Sequence, residues 1–248
     1  MILGSVDRAM KVFEILNGYP DGLRLSELAE RLDTTQSTAH HVLSTMVPYG
    51  YVQQDPETRR YSLGLRFLQV GQTIASNFQL RKITHRHLEK LRTEVEGATH
   101  VAILKDDKVI YVDKTDWSGG LTLATYIGFT TDAEATAGGK LLLSTLSDGQ
   151  VDDLYRDKEF SKYTDKSIGS LSELKEVLTK CREQGYAVDD EEYYEGIHCV
   201  AVPIYAGNKV IAALSVTSSV FAYSMEEMTT KVRARAEAAA RAISADLY

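Results

Sequence analysis

Two groups of residues in this 248-residue chain could do chemistry. The first is Ser37, His40, His41 and Ser44, spaced i, i+3, i+4 and i+7, with Gln36 and Thr38 on the same turns. On a helix of about 3.6 residues per turn the four share one face. Hydroxyls and imidazoles without a carboxylate suit hydrogen bonding to base edges and phosphates in a DNA major groove. No Asp or Glu occurs from Thr34 to Gln54, so nothing in that stretch repels a phosphate. The second group surrounds the run Ala135-Thr136-Ala137-Gly138-Gly139-Lys140. Small residues at a helix start let a ligand approach the free N–H groups of the first turn, where the dipole favours an anion. Ser215 and Thr217 alternate about Val216, so both hydroxyls can face one side of a strand. A nucleophile built from Cys199 and His198 is disfavoured by the same alternation, since neighbours on a strand point to opposite faces. No hydrolase signature and no spaced metal-ligand pair among His100, His198 and Cys199 is present, so neither catalysis, nor a metal, nor a cofactor is expected.

The elements that must position the first group are three short helices and a hairpin. Val6, Ala9, Met10, Phe13 and Leu16 form one apolar face, closed by Gly18, Pro20 and Gly22. Leu25, Leu28, Ala29 and Leu32 form a second, with Ser26 the expected cap. Ala39, Val42, Leu43 and Met46 form a third, capped by Thr34 or Thr35 and opposite the His40 stripe. Tyr51–Gln54 and Arg59–Leu63 then read as strands about an Asp55-Pro56-Glu57-Thr58 turn. Two helices, a tight link, an outward third helix and a basic hairpin predict a winged helix-turn-helix, with Arg59 and Arg60 reaching phosphate or the minor groove. Net charge is −7, but residues 1–78 hold seven basic against eight acidic side chains, leaving −6 for the rest.

Beyond a helical joint from Leu65, with a domain boundary near residue 78, the pattern turns mixed. Thr99–Lys105 and Lys108–Asp113 alternate about Asp106-Asp107, Leu121–Ile127 reads as a strand, and Ala135–Leu146 as a helix. Residues 171–184 form an amphipathic helix, and Tyr186–Asp189 a short strand. Cys199–Tyr205 and Lys209–Thr217 pair across Ala206-Gly207-Asn208, and a closing helix runs from Met225. Hairpins with helices between them imply an antiparallel sheet covered by helices, an α+β architecture. No apolar window of 18 residues and no secretory signal is found, and two cysteines make no disulfide framework, so a cytoplasmic protein away from membranes is expected.

Several segments resemble the IclR family of transcriptional regulators: Leu25-Ser26-Glu27-Leu28-Ala29, Ser37-Thr38-Ala39-His40-His41-Val42-Leu43, Ala135–Lys140, Gly185–Glu192, Gly196–Pro203 and Ala212–Thr217. The resemblance implies a winged helix-turn-helix over 1–64, a linker helix over 65–78 and a GAF-like effector-binding and oligomerisation domain over 79–248. It implies a regulator, by expectation a repressor, that binds double-stranded DNA at a partly palindromic operator as a homodimer or a dimer of dimers. By motif position the effector, expected to be a small organic acid, would meet Ala137, Gly138, Asp189, Cys199, Ser215 and Thr217. Two departures stand out: His41 replaces a frequent Arg, and Thr217 replaces a common Ser with an added methyl. The alternative is a GAF-like metabolite-sensing or enzymatic protein whose helix-turn-helix mediates protein contacts.

Overall fold

The computed structural model describes residues 3–77, 79–117 and 124–247. The chain divides into two compact units, Met1–Phe78 and Gln79–Tyr248.

The first unit runs α1 (Gly4–Asn17), α2 (Leu25–Arg31), α3 (Gln36–Met46), β1 (Val52–Gln54), β2 (Tyr61–Leu63) and α4 (Arg66–Asn77). Its core gathers Val12, Leu16, Leu28, Ala39, Leu43 and Val52. The inner face of α1 differs from the sequence expectation. Val6 and Met10 are exposed (51% and 53%), while Val12 and Leu16 are buried. The apolar stripe meets the core only from Ala9 onward, so its first turn stands clear of it. Ser26 is not the cap of α2. Arg24 holds the N-cap position, and the Glu27 carboxylate accepts from its backbone N–H at 2.7 Å, which starts the helix two residues early. Thr35 does cap α3, its Oγ1 accepting from the Thr38 N–H at 3.2 Å. The wing is tied to the helices by a bridge between Leu23 and Tyr61, with N···O distances of 2.9 and 2.7 Å.

In the second unit, α5 (Gln79–Arg92) leads into β3 (Ala98–Lys105), β4 (Lys108–Thr115) and β5 (Thr130–Asp132). A 3-10 turn precedes α6 (Ala137–Leu143), followed by α7 (Asp148–Tyr155) and α8 (Leu171–Gln184). Then come β6 (Ala187–Asp190), β7 (Ile197–Ala206), β8 (Lys209–Ser219) and α9 (Met225–Glu227), which passes through a π-turn into α10 (Arg233–Asp246). The strands form one antiparallel sheet ordered β5-β4-β3-β8-β7-β6. α5 and α10 cover one face and α6 and α8 the other. Cys199 and Ala201 join the α6–α8 core, while Val200 and Val202, equally buried, point the other way. Burial on both faces is why β7 and β8 read as apolar runs rather than as strict alternation.

Two expectations are corrected here. Of the strand placed at Leu121–Ile127, residues 121–123 lie outside the described residues, and 124–127 are not strand. The chain instead turns at Gly128, whose φ is +91° and whose N–H donates to the Tyr111 carbonyl at 2.7 Å. The helix expected over Ala135–Leu146 is shorter, Ala137–Leu143, because Thr136 is extended and caps it through the Gly139 N–H at 3.1 Å. The helix α7 and the strand β5 had no counterpart in the sequence reading.

Candidate functional site

The outward face of α3 is built by its inward one. Ala39, Leu43 and Met46 bury the apolar side, which leaves Gln36, Ser37, His40, His41 and Ser44 exposed and Thr38 half-buried behind its bond to Thr35. Ser44 Oγ donates to the His41 carbonyl at 2.9 Å and Thr45 Oγ1 to the same oxygen at 3.2 Å. Ser44 therefore presents lone pairs outward, an acceptor for base amino groups. On the wing, Asp55 Oδ1 accepts from the Glu57 and Thr58 N–H groups at 3.0 and 2.6 Å, an Asx turn. That turn projects Arg59, exposed at φ +59°. Arg60 is half-buried: it donates to the Gly22 carbonyl at 2.7 Å and lies 3.8 Å from the Glu27 carboxylate. The structure thus uses Arg60 to brace the wing, a task the sequence did not suggest.

In the second unit, register assembles a cavity across four adjacent strands and their neighbour. Asp189 pairs with Cys199, Cys199 with Thr217, Ala201 with Ser215, and Ser215 with His100. Directly opposed residues share a face of the sheet, so their side chains form a row beneath α6. The cavity encloses about 40 Å³. Of the expected effector residues, Gly138, Asp189, Cys199, Ser215 and Thr217 line it. Ala137 does not; it is buried in the α6–α8 core.

The cavity holds its groups away from their ordinary charge states. Burial pushes the Asp189 carboxyl up to about 7, against the opposing pull of the Lys140 ammonium. The Asp189 Oδ1 also accepts from the Glu192 N–H at 2.7 Å. Burial pushes the Cys199 thiol up to about 12, so it is no nucleophile, and Thr217 Oγ1 lies 3.3 Å from its sulfur. Burial lowers His100 to about 4, leaving a neutral ring. Lys140 is itself buried and paired with Glu192, and no Lys or Arg lines the cavity.

Among the described residues one trio could offer ligand atoms to a metal: Asp190, Glu191 and His198, within 4.8 Å of one another. Lys166 already sits against Asp190 and Glu191 at 3.3 and 2.7 Å. His198 uses both ring nitrogens, on Asp190 at 3.0 Å and on the Tyr223 carbonyl at 3.1 Å. The trio's polar atoms are already engaged by Lys166, by one another and by the Tyr223 carbonyl.

Comparison with known proteins decides the family. Residues 72–245 match the bacterial transcriptional regulator IclR C-terminal domain, and residues 5–56 the IclR helix-turn-helix domain. The chain is 33% identical to the regulator KdgR of Escherichia coli, over 98% of this chain and 93% of that protein. It is 30% identical to the transcriptional repressor IclR of Escherichia coli, over 87% of this chain and 80% of that one. The crystal structure of an IclR transcriptional regulator from Alicyclobacillus acidocaldarius superposes with a TM-score of 0.82 at 28% identity, covering 99% of both chains. The chain belongs to the IclR family.

It is therefore a helix-turn-helix transcriptional regulator in a family of regulators, not enzymes, and its N-terminal unit is a DNA-binding one. No helix among the described residues is long and apolar enough to cross a membrane. The cavity also has walls that the sequence reading did not assign to it: His100, Tyr111, Thr125, Thr136, Tyr193, Tyr194 and Ile197. His100 was legible in principle, since period-two alternation puts it on the face of Ala102. Tyr111 was not. A register shift between Val101 and Ala102 reverses the alternation of β4 between Tyr111 and Asp113.

Proposed function

We propose that this regulator reads double-stranded DNA through Gln36, Ser37, Thr38, His40, His41 and Ser44, with Arg59 on phosphate and Arg60 holding the wing in place. We further propose that a small organic acid in the C-terminal cavity, touching Gly138, Asp189, Cys199, Ser215 and Thr217, alters operator affinity, and that the chain represses transcription in the cytoplasm. The observation that carries the effector reading is the cavity itself: a row of hydrogen-bonding groups beneath the first turn of α6, in which the buried His100 Nδ1 has no partner among the described residues. An acid is favoured because that first turn offers backbone N–H groups. An IclR homologue from Microbacterium hydrocarbonoxydans, 22% identical over 98% of both chains with a TM-score of 0.81, is complexed with 4-hydroxybenzoate. A ligand larger than about three waters, at roughly 10–15 Å³ each, must displace a wall; Tyr194, 44% exposed and packed on Tyr193 at 4.6 Å between ring centroids, is the most exposed aromatic side chain of that wall.

A homodimer or dimer of dimers on a partly palindromic operator completes the reading. Its support is an apolar surface in the first unit: Leu3, Val6 and Met10 at α1, with Leu65, Leu68 and Ile74 at α4, are all more than half exposed. α1 and α4 touch through Phe13 and Phe67, ring centroids 4.7 Å apart. Exposed apolar area of this kind is covered in most proteins by a partner, and a two-fold partner matches a palindrome.

The test is a thermal-shift screen of organic acids, followed by gel shifts of genomic fragments with and without each hit. The expected result is a hit that raises the melting temperature and changes operator affinity. DNA affinity should also fall steeply with salt. Stabilisation by an acid with no change in DNA binding would overturn the regulatory coupling.

A further inference from the structure

One buried atom of the cavity wall has no partner. His100 is 2% exposed, and its Nδ1 makes no hydrogen bond among the described residues. The rest of the ring is held. Nε2 lies 3.1 Å from Thr125 Oγ1, the ring packs on Tyr111 at 5.0 Å between centroids, and Ser215 stands opposite in register. Buried polar nitrogens are satisfied almost everywhere in folded proteins, so an orphan in a cavity wall points to a group that arrives from outside.

The ring is neutral, so one nitrogen donates and the other accepts. Thr125 sets which. When its hydroxyl accepts from Nε2–H, Nδ1 presents a lone pair and suits a ligand hydroxyl. When it donates to Nε2, Nδ1 carries the proton and suits a ligand carbonyl. A rotating hydroxyl makes both states reachable. No ammonium or guanidinium lines this wall. Lys114, whose strand position pairs with His100, donates to the Thr125 carbonyl at 2.7 Å and sits 2.6 Å from Asp116.

We propose that His100 Nδ1 is a specificity-determining contact that reads a hydroxyl or carbonyl oxygen on the effector, so that the cavity takes hydroxy or oxo acids in preference to the plain acids. This rests on the reading of the cavity as an organic-acid site. His100, the residue directly across the sheet from Ser215, reads the substituent. A plain acid leaves Nδ1 unpaired in a water-poor site, and sites built to bond a hydroxyl reject the analogue that lacks it.

The experiment is calorimetric titration of the full-length protein with matched acids: lactate and pyruvate against propionate, gluconate against hexanoate, and 4-hydroxybenzoate against benzoate. In at least one set the oxygen-bearing member should bind about tenfold tighter, the scale of one buried hydrogen bond. His100→Phe keeps the ring against Tyr111 and should reduce that preference to about twofold or less, with the ligand-free melting temperature equal or higher. Two further variants separate the nitrogens. His100→Gln keeps a polar atom near Nε2 and should lose the preference; His100→Asn keeps one near Nδ1 and should retain part of it. If His100→Phe does not fold, the Gln and Asn pair decides. Acids that bind with their preference intact in His100→Phe or His100→Gln would overturn the proposal alone. A wild-type protein that binds none of the acids would overturn the organic-acid reading, and this proposal with it.

Discussion

The DNA-reading face of α3 and the cavity beneath α6 are opposite solutions to placing polar groups. On α3 the groups stand in water, and eleven residues of one helix, Gln36–Met46, fix all of them. In the cavity the groups come from β3, β4, β6, β7, β8 and α6, and strand register fixes them. Burial then shifts Asp189, Cys199 and His100 away from their ordinary proton affinities. The lesson is that an exposed site tolerates sloppiness in its scaffold, whereas a buried one depends on every close approach around it.

The sharpest way to break that contrast is at two neighbouring glycines. A Cβ on Gly139 would stand 2.0 Å from the Ala133 carbonyl oxygen, so the backbone must move. A Cβ on Gly138 would meet only the Ala213 and Ala102 methyls, at 3.8 and 4.0 Å. Gly139→Ala is expected to destabilise the C-terminal unit by roughly 3 kcal/mol or more, the range of overpacking with backbone strain. Gly138→Ala should stay within about 1 kcal/mol of wild type, or gain from helix propensity, yet weaken ligand binding because Gly138 lines the cavity. Urea melts followed through Trp117, the only tryptophan and part of the C-terminal unit, read this directly. Equal losses at the two positions would mean that α6 is no more crowded on one side than on the other.

The same pair of sites shows what was legible in the sequence. The face of α3 follows from periodicity over eleven residues, and the sequence reading placed each of its side chains correctly on one helix. The cavity was half legible. Alternation paired Ser215 with Thr217, and the family motifs carried Gly138, Asp189 and Cys199 to positions the structure brings together. Ala137, carried over with them, turns into the core instead. Tyr111 could not be found, because a bulge cancels the period-two rule on β4. Thr125 could not either, since it lies on a segment turned by Gly128 where a strand was expected. Arg60 looked like half of a basic pair, and only the fold of Gly22 against Tyr61 shows that its guanidinium has a carbonyl to hold.

The buried site should also answer to pH where the exposed one does not dominate. Asp189 titrates near 7 when folded and near its ordinary value of about 4 when unfolded. Its contribution to stability is full below pH 4 and is lost as pH rises to 7. His100 has the opposite sign: about 4 when folded against roughly 6.5 unfolded, so its neutral form contributes stability above pH 6.5 that is lost as pH falls to 4. Between these limits the two slopes, about 1.4 kcal/mol per pH unit each, oppose and largely cancel. Asp189→Asn should therefore make the C-terminal unit gain stability from pH 4.5 to 6.5, and His100→Phe should make it lose stability over the same interval. Trp117-monitored urea midpoints across that interval supply the measurement. Parallel slopes in the two variants would remove the claim that burial sets both protonation states.

The smallest expected effects separate the two sites most cleanly. Replacing His40 and His41 together by Ala should weaken specific operator binding by about 1–3 kcal/mol for each base-edge hydrogen-bonding pair removed, with ligand affinity untouched. Ser215→Ala should do the reverse: ligand affinity falls by about 1 kcal/mol, one neutral hydrogen bond, and operator binding in the absence of ligand stays at the wild-type value. Ser215 is the more demanding half of the cross. It lies on a strand buried on both faces, so a loss of operator binding in a variant with an unchanged Trp117 melt would mean that the sheet itself, and not only the occupied cavity, communicates with the DNA-binding unit. The separation of an exposed reading face from a buried sensing row would then have to give way to one continuous mechanical element.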